Sequence, residues 1–344
     1  MAYTTIDNPA DYFNTVLYTG NGSTQSITGV GFQPDWVWCK SRSQADNHAI
    51  FDSVRGGQKQ LRSNTSDAEL TRTNAISSFD SDGWSMGSQP EMNSNTITYA
   101  SWNWYTGATA SSNTDGSITS SVSANTTAGF SIVSYTGNGT GGATIGHGLG
   151  VSPSWIVTKK RSATGSWVVY HKSQGATKYG ILDTTASFGT SSSLWNDTEP
   201  TSSVFSVGTD ADTNGSSATF IAYCFAEKKG YSKFGKYRGN SSSDGVFVYL
   251  GFKPAMVMVK SNATEHWEIL DNKRSNSFNA VDGVLFPNLS NAEETANDIC
   301  DFLSNGIKFR HSDGRHNSSA HDTYYMAFAE NPFVTSTGIP TTAR

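Results

Sequence analysis

Five groups of residues have types and spacings that could do chemistry. Gly83-Trp-Ser85-Met-Gly87 fits G-x-S-x-G, the pattern that presents a serine nucleophile on a strained turn at the head of a helix. Gly137-Asn-Gly139-Thr-Gly-Gly142 fits G-x-G-x-x-G, which cradles a pyrophosphate when a helix opens at its last glycine. Asp210-Ala-Asp212-Thr-Asn214-Gly215 opens like an EF-hand calcium loop. His311, His316 and His321 form the densest ligand-capable cluster. Asp52 and Asp271 each precede an arginine by three residues, Arg55 and Arg274. Trp195 and Trp267 are candidates for stacking on a sugar if they stand on the surface beside the Asn/Ser/Thr-rich loops.

The elements that must position these groups are written three times. Tyr18-Thr-Gly-Asn21 returns as Tyr135-Thr-Gly-Asn138 and Tyr237-Arg-Gly-Asn240. Gly31-Phe-Gln-Pro34, Gly150-Val-Ser-Pro153 and Gly251-Phe-Lys-Pro254 follow. Each is succeeded by a short apolar strand ending in lysine, at Lys40, Lys159 and Lys260. Aromatic strands close the copies at Thr98–Trp104, Thr219–Phe225 and Thr323–Phe328. The period of about one hundred residues suits a small β-sandwich domain.

The copies act as controls on one another. Ser85 follows a hairpin turn, and the matching Gly306-Ile-Lys-Phe309 carries no serine, so the elbow reads as a strand. No helical stretch follows Gly142, so the glycines there read as a hairpin turn in which Asn-Gly supplies positive φ. The calcium pattern requires a bidentate Glu at its twelfth position, where Ile221 stands. The histidine spacings match neither H-E-x-x-H nor a finger pattern, and the region reads as a polar loop before the last strand. The second copy has His171 in place of the acid and Gln174 in place of the arginine. Joint loss of both partners marks Asp52/Arg55 and Asp271/Arg274 as structural pairs. Trp36, Trp38, Trp102 and Trp104 alternate along strands and read as core on one face.

The composition agrees with an all-β protein. Of 344 residues 15% are charged and 12% aromatic, and the net charge is −5. No basic cluster is large enough to expect nucleic acid as a partner. No apolar run approaches the ~18 residues of a membrane span, so membrane insertion is not expected. The N-terminus reads as lacking a secretory signal. The three cysteines occupy unmatched positions, against a disulfide framework or zinc. The spacing over Asn291–Leu303 allows three helical turns.

The expected architecture is three tandem antiparallel β-sandwich domains, jelly-roll-like and related by internal repeat. They occupy residues 13–107, 130–230 and 231–333. Residues 1–12 form an arm that either packs on the first domain or docks on a larger assembly. Residues 108–129 form a Ser/Thr-rich linker with room for an edge strand at Ser117–Val122, and residues 334–344 form a tail.

Several runs resemble a repeat family common in tailed-bacteriophage genomes: Gly31-Phe-Gln-Pro-Asp-Trp-Val-Trp38, His48-Ala-Ile-Phe-Asp-Ser-Val-Arg-Gly56, Ser78-Phe-Asp-Ser-Asp-Gly-Trp84, Trp167-Val-Val-Tyr-His-Lys172, Pro200-Thr-Ser-Ser-Val-Phe-Ser206 and Tyr324-Tyr-Met-Ala-Phe-Ala-Glu-Asn-Pro-Phe333. The resemblance spans about Phe13 to Phe333 and implies a tail fibre or other virion structural protein, with no catalytic motif to transfer. The expectation is therefore a non-enzymatic virion component, assembled in the host cytoplasm, most simply a tail fibre or tail-associated adhesin. A capsid decoration or head-fibre protein is the alternative, and a glycan-degrading enzyme a third reading. Its partners would be other virion proteins, further copies of itself and host surface glycan. No cofactor, metal or catalytic residue is assigned. The contact candidates are Trp195, Trp267, His311, His316 and His321.

Overall fold

The computed structural model describes residues 2–275, 279–295 and 298–341. Met1 of the expected arm and residues 342–344 of the expected tail lie outside the described residues. The chain is all-β and antiparallel, and its described helices are single turns of three or four residues.

Each repeat builds a four-stranded sheet in one order: an opening strand, the closing aromatic strand, the strand that ends in lysine, and a strand bearing the Asp or His. In the first repeat these are Phe13–Thr19, Thr98–Trp104, Trp36–Ser41 and Ala49–Asp52. In the second they are Phe130–Thr136, Thr219–Phe225, Trp155–Lys160 and Trp167–His171. In the third they are Ser232–Arg238, Asp322–Pro332, Phe252–Ser261 and Glu268–Asp271. A smaller sheet covers one face of each. These small sheets are Gln25–Ile27 with Gly83–Met86 and Ile76–Asp80, then Ala143–Gly146 with Val204–Val207, then Phe247–Tyr249 with Gly306–Phe309 and Cys300–Leu303.

Strand alternation gives every large sheet two apolar faces. The outer face packs on its own small sheet, as Val37, Cys39 and Phe51 do with Trp84 and Met86. Equivalent cores fill the second and third sandwiches. The inner faces of all three sheets meet in one central core, where Trp36, Trp38, Trp102 and Trp104 join Trp155, Trp167, Tyr223 and Phe225, and Trp267, Tyr324, Met326 and Phe328. Trp36 stacks on Tyr223 of the second repeat at 4.4 Å, and Trp104 meets Phe328 of the third at 5.6 Å. The three sandwiches thus close around a shared aromatic axis.

Two expectations are corrected here. Residues 108–129 are not a free linker. Ser111–Asn113 and Ser120–Asn125 pair in sequence onto Phe130–Thr136, and with Lys178–Ile181 and Gly189–Thr190 on the opposite edge they extend the second repeat's sheet to eight strands. Polar side chains suit them because one face of this extension meets water. The stretch over Asn291–Leu303 is not helical where it is described: Glu294 bridges Val284, and Cys300–Leu303 is a strand. Residues 296 and 297 lie outside the described residues. The N-terminal arm reaches past the first repeat to the third. Tyr3 donates to the Gly251 carbonyl at 2.6 Å, and Ile6 enters the central core.

The Tyr-x-Gly-Asn signature joins each opening strand to a one-turn helix: Pro90–Asn93, Ala211–Asn214 or Gly314–Asn317. The tyrosine hydroxyl donates to a helix carbonyl, Tyr18 to Met92 at 2.8 Å, Tyr135 to Thr213 at 2.8 Å and Tyr237 to His316 at 2.5 Å. The Asn backbone N–H donates to the last helix residue's side chain, at Asn93, Asn214 or Asn317. The glycine is needed for close approach. A Cβ on Gly20, Gly137 or Gly239 would stand 2.3, 2.5 or 2.2 Å from Ser94 O, Gly215 O or Asn317 C, all backbone atoms. Gly137→Ala should therefore force the hairpin off its helix and lower stability by about 1–3 kcal/mol, read from the urea midpoint.

Candidate functional site

Asp52 with Arg55, Asp271 with Arg274, and His171 lie in the joints between repeats. Asp52 accepts from Arg55 Nε at 2.5 Å, and both side chains are fully buried. The same Asp52 Oδ2 accepts the hydroxyl of Tyr223, from the second repeat, at 2.7 Å. Asp271 accepts from Arg274 Nε at 2.6 Å and from the indole N–H of Trp102, in the first repeat, at 2.9 Å. Tyr223 and Trp102 hold the same position, two residues before the closing aromatic that pairs with the head of the lysine strand. The third repeat has Met326 there. Met326 cannot donate, and the joint it would serve has His171 and Gln174 in place of Asp and Arg. Acid, base and donor are replaced together. His171 instead bonds the Tyr325 carbonyl through Nε2 at 3.2 Å and accepts Ser173 N–H on Nδ1 at 3.0 Å.

A second layer repeats the logic. Glu69 bridges Arg55 at 3.2 Å and Arg161 of the second repeat at 2.8 Å. Glu293 bridges Arg274 at 2.6 Å and Arg42 of the first repeat at 2.8 Å. Where Arg42 and Arg161 stand, the third repeat has Asn262, whose carbonyl oxygen accepts Phe188 N–H of the second at 3.0 Å. A third layer uses ring N–H groups. Trp167 donates to Arg62 O at 2.7 Å, Trp267 to Ile181 O at 3.0 Å, and His48 bonds Phe286 O at 2.9 Å. Each bond runs from one repeat to the one before it, and His48 of the first reaches back to the third. Trp38 donates to His48 Nδ1 at 2.8 Å, which fixes the neutral ring with its proton on Nε2. Lys40, Lys159 and Lys260 are buried at the same rim, where burial pushes their ammonium groups down to about 8.

The predicted contact residues separate. Trp195 and Trp267, proposed as surface platforms, are corrected to core: they are 2% and 1% exposed. Trp195 packs on Tyr170 and Phe205, and Trp267 on Trp155 and Phe188. His316 is also corrected to a buried residue, its Nδ1 2.8 Å from Glu268 Oε2. This pair replaces Ala49 and Met92 of the first repeat, and Val168 and Thr213 of the second, in the outer sandwich core. His311 is half-buried and accepts Asp313 N–H at 3.2 Å, and His321 is exposed. The His311 and His316 rings come within 6.0 Å of each other, but no cluster of three metal-ligating side chains exists among the described residues. Asp210–Gly215 and His311–Asp322 contain the same repeated helix. Asp210 and Asp313 are its N-caps, accepting Asp212 and Arg315 N–H at 2.8 Å. Ser85 stands in a strand and bonds Asp80 at 2.6 Å and Ser26 at 2.8 Å.

What sequence reasoning missed lies on the third small sheet. Phe247 and Tyr249 are 45% and 51% exposed. Val248 between them enters the core, so both rings share the outer face. Register aligns Val248, opposite Ile307, with Ile27 opposite Trp84 and Ile145 opposite Phe205. The outward neighbours are therefore Ser26 and Thr28 in the first repeat, and Thr144 and Gly146 in the second. The Phe247 ring lies across Gly306, where a Cβ would come within 2.9 Å of it. Tyr249 also lines a groove of about 330 Å³ with Tyr3, Glu227, Lys229, Lys233 and Gly251. Lys229 Nζ stands 4.5 Å from the Tyr3 ring centre, and Lys233 Nζ 5.1 Å from that of Tyr249. A second cleft of about 390 Å³ beside Asp35 is less available for chemistry. There Asp35 already accepts the N–H groups of Thr106 and Gly107 and the Ser53 hydroxyl, each at 2.8 Å. The signal for the missed site was two aromatics flanking a valine on an edge strand whose counterparts carry Ser, Thr or Gly.

Residues 8–332 match a family described as Domain of unknown function (DUF7483). The chain belongs to the DUF7483 family. No curated protein matches it, and no solved structure does. The family match takes in all three repeats and the joints between them.

Copying one joint into another tests their assignment. Asp52→His alone removes the carboxylate bonded to Arg55 Nε, leaving Glu69 as its one carboxylate partner among the described residues, and should cost about 3–5 kcal/mol in urea unfolding. Adding Arg55→Gln and Tyr223→Met, the set found at the second joint, should recover much of that loss. Acid should also loosen the ring. Burial holds His48 well below the usual histidine range, His171 down at about 4 and His147 lowered, each against weaker opposing bonds to carbonyls. The unfolded chain takes up these protons near pH 6.5 while the folded chain does not, so stability present above pH ~6.5 falls as pH drops. Thermal melts should show the midpoint declining steadily from pH ~6.5 towards pH ~4.5, above the range where carboxylates add their own effect.

Proposed function

We propose that this DUF7483 chain is a non-enzymatic structural component of a phage particle, a tail fibre or tail-associated adhesin that holds a contact surface towards the host. The observation that carries the reading is the pair of exposed rings, Phe247 and Tyr249, set on a frame whose repeats are joined through Asp52, Asp271, Glu69 and Glu293. A frame of this kind suits presentation. Buried joints and a continuous aromatic core resist relative motion of the sandwiches, while the outer faces of the small sheets remain free to vary. The rest of the surface is largely Ser, Thr, Asn and Gly, suited to hydrogen bonding with hydroxyl-rich ligands. The sequence runs that resemble a repeat family of tailed-bacteriophage genomes support the same reading.

Gold-labelled antibody raised against the purified chain and applied to intact phage particles tests the placement by electron microscopy. The expected result is label at the tail. Label confined to the head would replace the tail reading with capsid decoration, and unlabelled particles would remove the virion assignment.

A further inference from the structure

We propose that the groove between the N-terminal arm and the third repeat, lined by Tyr249 and continued by Phe247 on the same strand face, binds an acidic polysaccharide. The inference rests on the surface-contact reading above and names the chemistry of that contact.

Three observations lead to it. The first is the exposure of the rings themselves. Phe247 and Tyr249 keep 45% and 51% of their surface exposed, and the two sister repeats place Ser26 with Thr28 and Thr144 with Gly146 at the same outward positions. The aromatic pair is therefore an addition to the shared frame. Alternate strand residues sit about 7 Å apart on one face, so two rings can lie under neighbouring units of an extended chain. Tyr249 is flat, rigid and amphipathic, and its face suits the C–H side of a sugar ring.

The second is the state of the lysines. Lys236, Lys253 and Lys308 of the same repeat are paired with Asp322, Glu330 and Asp244 at 2.8, 2.9 and 2.6 Å. Lys229 and Lys233 form no ion pair among the described residues. Their ammonium groups lie over the rings of Tyr3 and Tyr249, and Lys233 also donates to the Tyr249 carbonyl at 2.9 Å. The one carboxylate lining the groove, Glu227, accepts Phe234 N–H at 3.3 Å. Two cations against one engaged anion favour a ligand bearing carboxylates.

The third is that the fold elsewhere covers this edge. In the second repeat Ile118 N–H donates to Thr144 O at 3.0 Å, and the Ser117 hydroxyl accepts Thr144 N–H at 2.9 Å. Thr144 corresponds to Phe247. The second repeat thus closes with its own chain the edge that the third leaves open beside the rings. Single-stranded nucleic acid shares the need for aromatic faces and cations. Two lysines on a chain of net charge −5 make a weak phosphate track, so the saccharide is favoured.

Affinity electrophoresis of the full chain in native gels containing polygalacturonate, alginate or neutral dextran tests the proposal. Retardation by at least one acidic polymer, and none by dextran, is expected. Phe247→Ser with Tyr249→Thr, the residues of the first repeat, should weaken that retention on the order of tenfold with the melting midpoint unchanged. Lys229→Gln with Lys233→Gln should weaken it comparably. The proposal is overturned by equal mobility in all gels, by retention that survives the aromatic double variant, or by preferential binding of a single-stranded oligonucleotide. Tail labelling without retardation would remove this inference alone, and retardation without particle labelling would remove only the placement.

Discussion

A four-stranded sheet with aromatics on both faces cannot be covered by one small partner sheet, and that constraint organises this molecule. Each repeat hides its outer face under its own short strands and leaves the inner face bare. On that face stand Trp36, Trp38, Trp102 and Trp104 in the first copy, Trp155, Trp167 and Tyr223 in the second, and Trp267, Met256 and Met326 in the third. Exposed in water, such a face would be a strong association surface. Three copies in one chain supply each other's cover, and the arm's Ile6 adds to the same core. One repeat alone has no means of burying its inner face.

The aromatic axis gives cohesion, and the rim of polar joints gives order. Buried ion pairs contribute little net stability once desolvation is counted, but a broken one is costly. The joints therefore work best as a code. Asp52–Arg55 requires a hydroxyl or indole donor from the neighbour, and Tyr223 supplies it. His171 facing Met326 requires none. Putting the third repeat's closing strand against the first repeat's acid would leave Asp52 without its donor. Putting the first repeat's against His171 would bury the unmatched indole N–H of Trp102. Such mismatches favour the cyclic order 1-2-3 over the permuted arrangements that similar repeats would otherwise allow.

The repeats, the strand content and the structural role of Asp/Arg were legible in the sequence because they rest on local patterns: period-two alternation, turn glycines and loss of both partners in one copy. The shared core was not legible. Alternation says that Trp36 and Trp38 share a face, but not that the face meets two other sheets. Residues 108–129 misled because low apolar content describes an exposed sheet extension as well as a linker. Trp195, Trp267 and His316 misled for a related reason. An aromatic or histidine in a short segment can serve a satellite core, and only the three-dimensional register reveals that core. The equivalence of Asp210–Gly215 with the helix at Gly314–Asn317 was hidden because only the capping Asp and the final Asn are kept between them.

Where a new property can arise in such a frame follows from what is already committed. Inner faces belong to the aromatic axis, strand ends to the joints, and the Tyr-x-Gly-Asn corners to the helix contacts that leave no room for a Cβ. The outward positions of the small-sheet edge strands carry none of these duties. In the first and third repeats a substitution there changes neither a core nor a joint, so these residues can diverge between the two copies without loss of fold. Ser26, Thr144 and Phe247 occupy one such position, Thr28, Gly146 and Tyr249 another. The repeats differ there in chemical character, polar in two and aromatic in one. The aromatic copy is also the one beside the arm, whose Tyr3 brings another ring to the same groove. The arm thus has two roles in one stretch: Ile6 completes the core, and Tyr3, three residues earlier, shapes the surface that the third repeat alone presents.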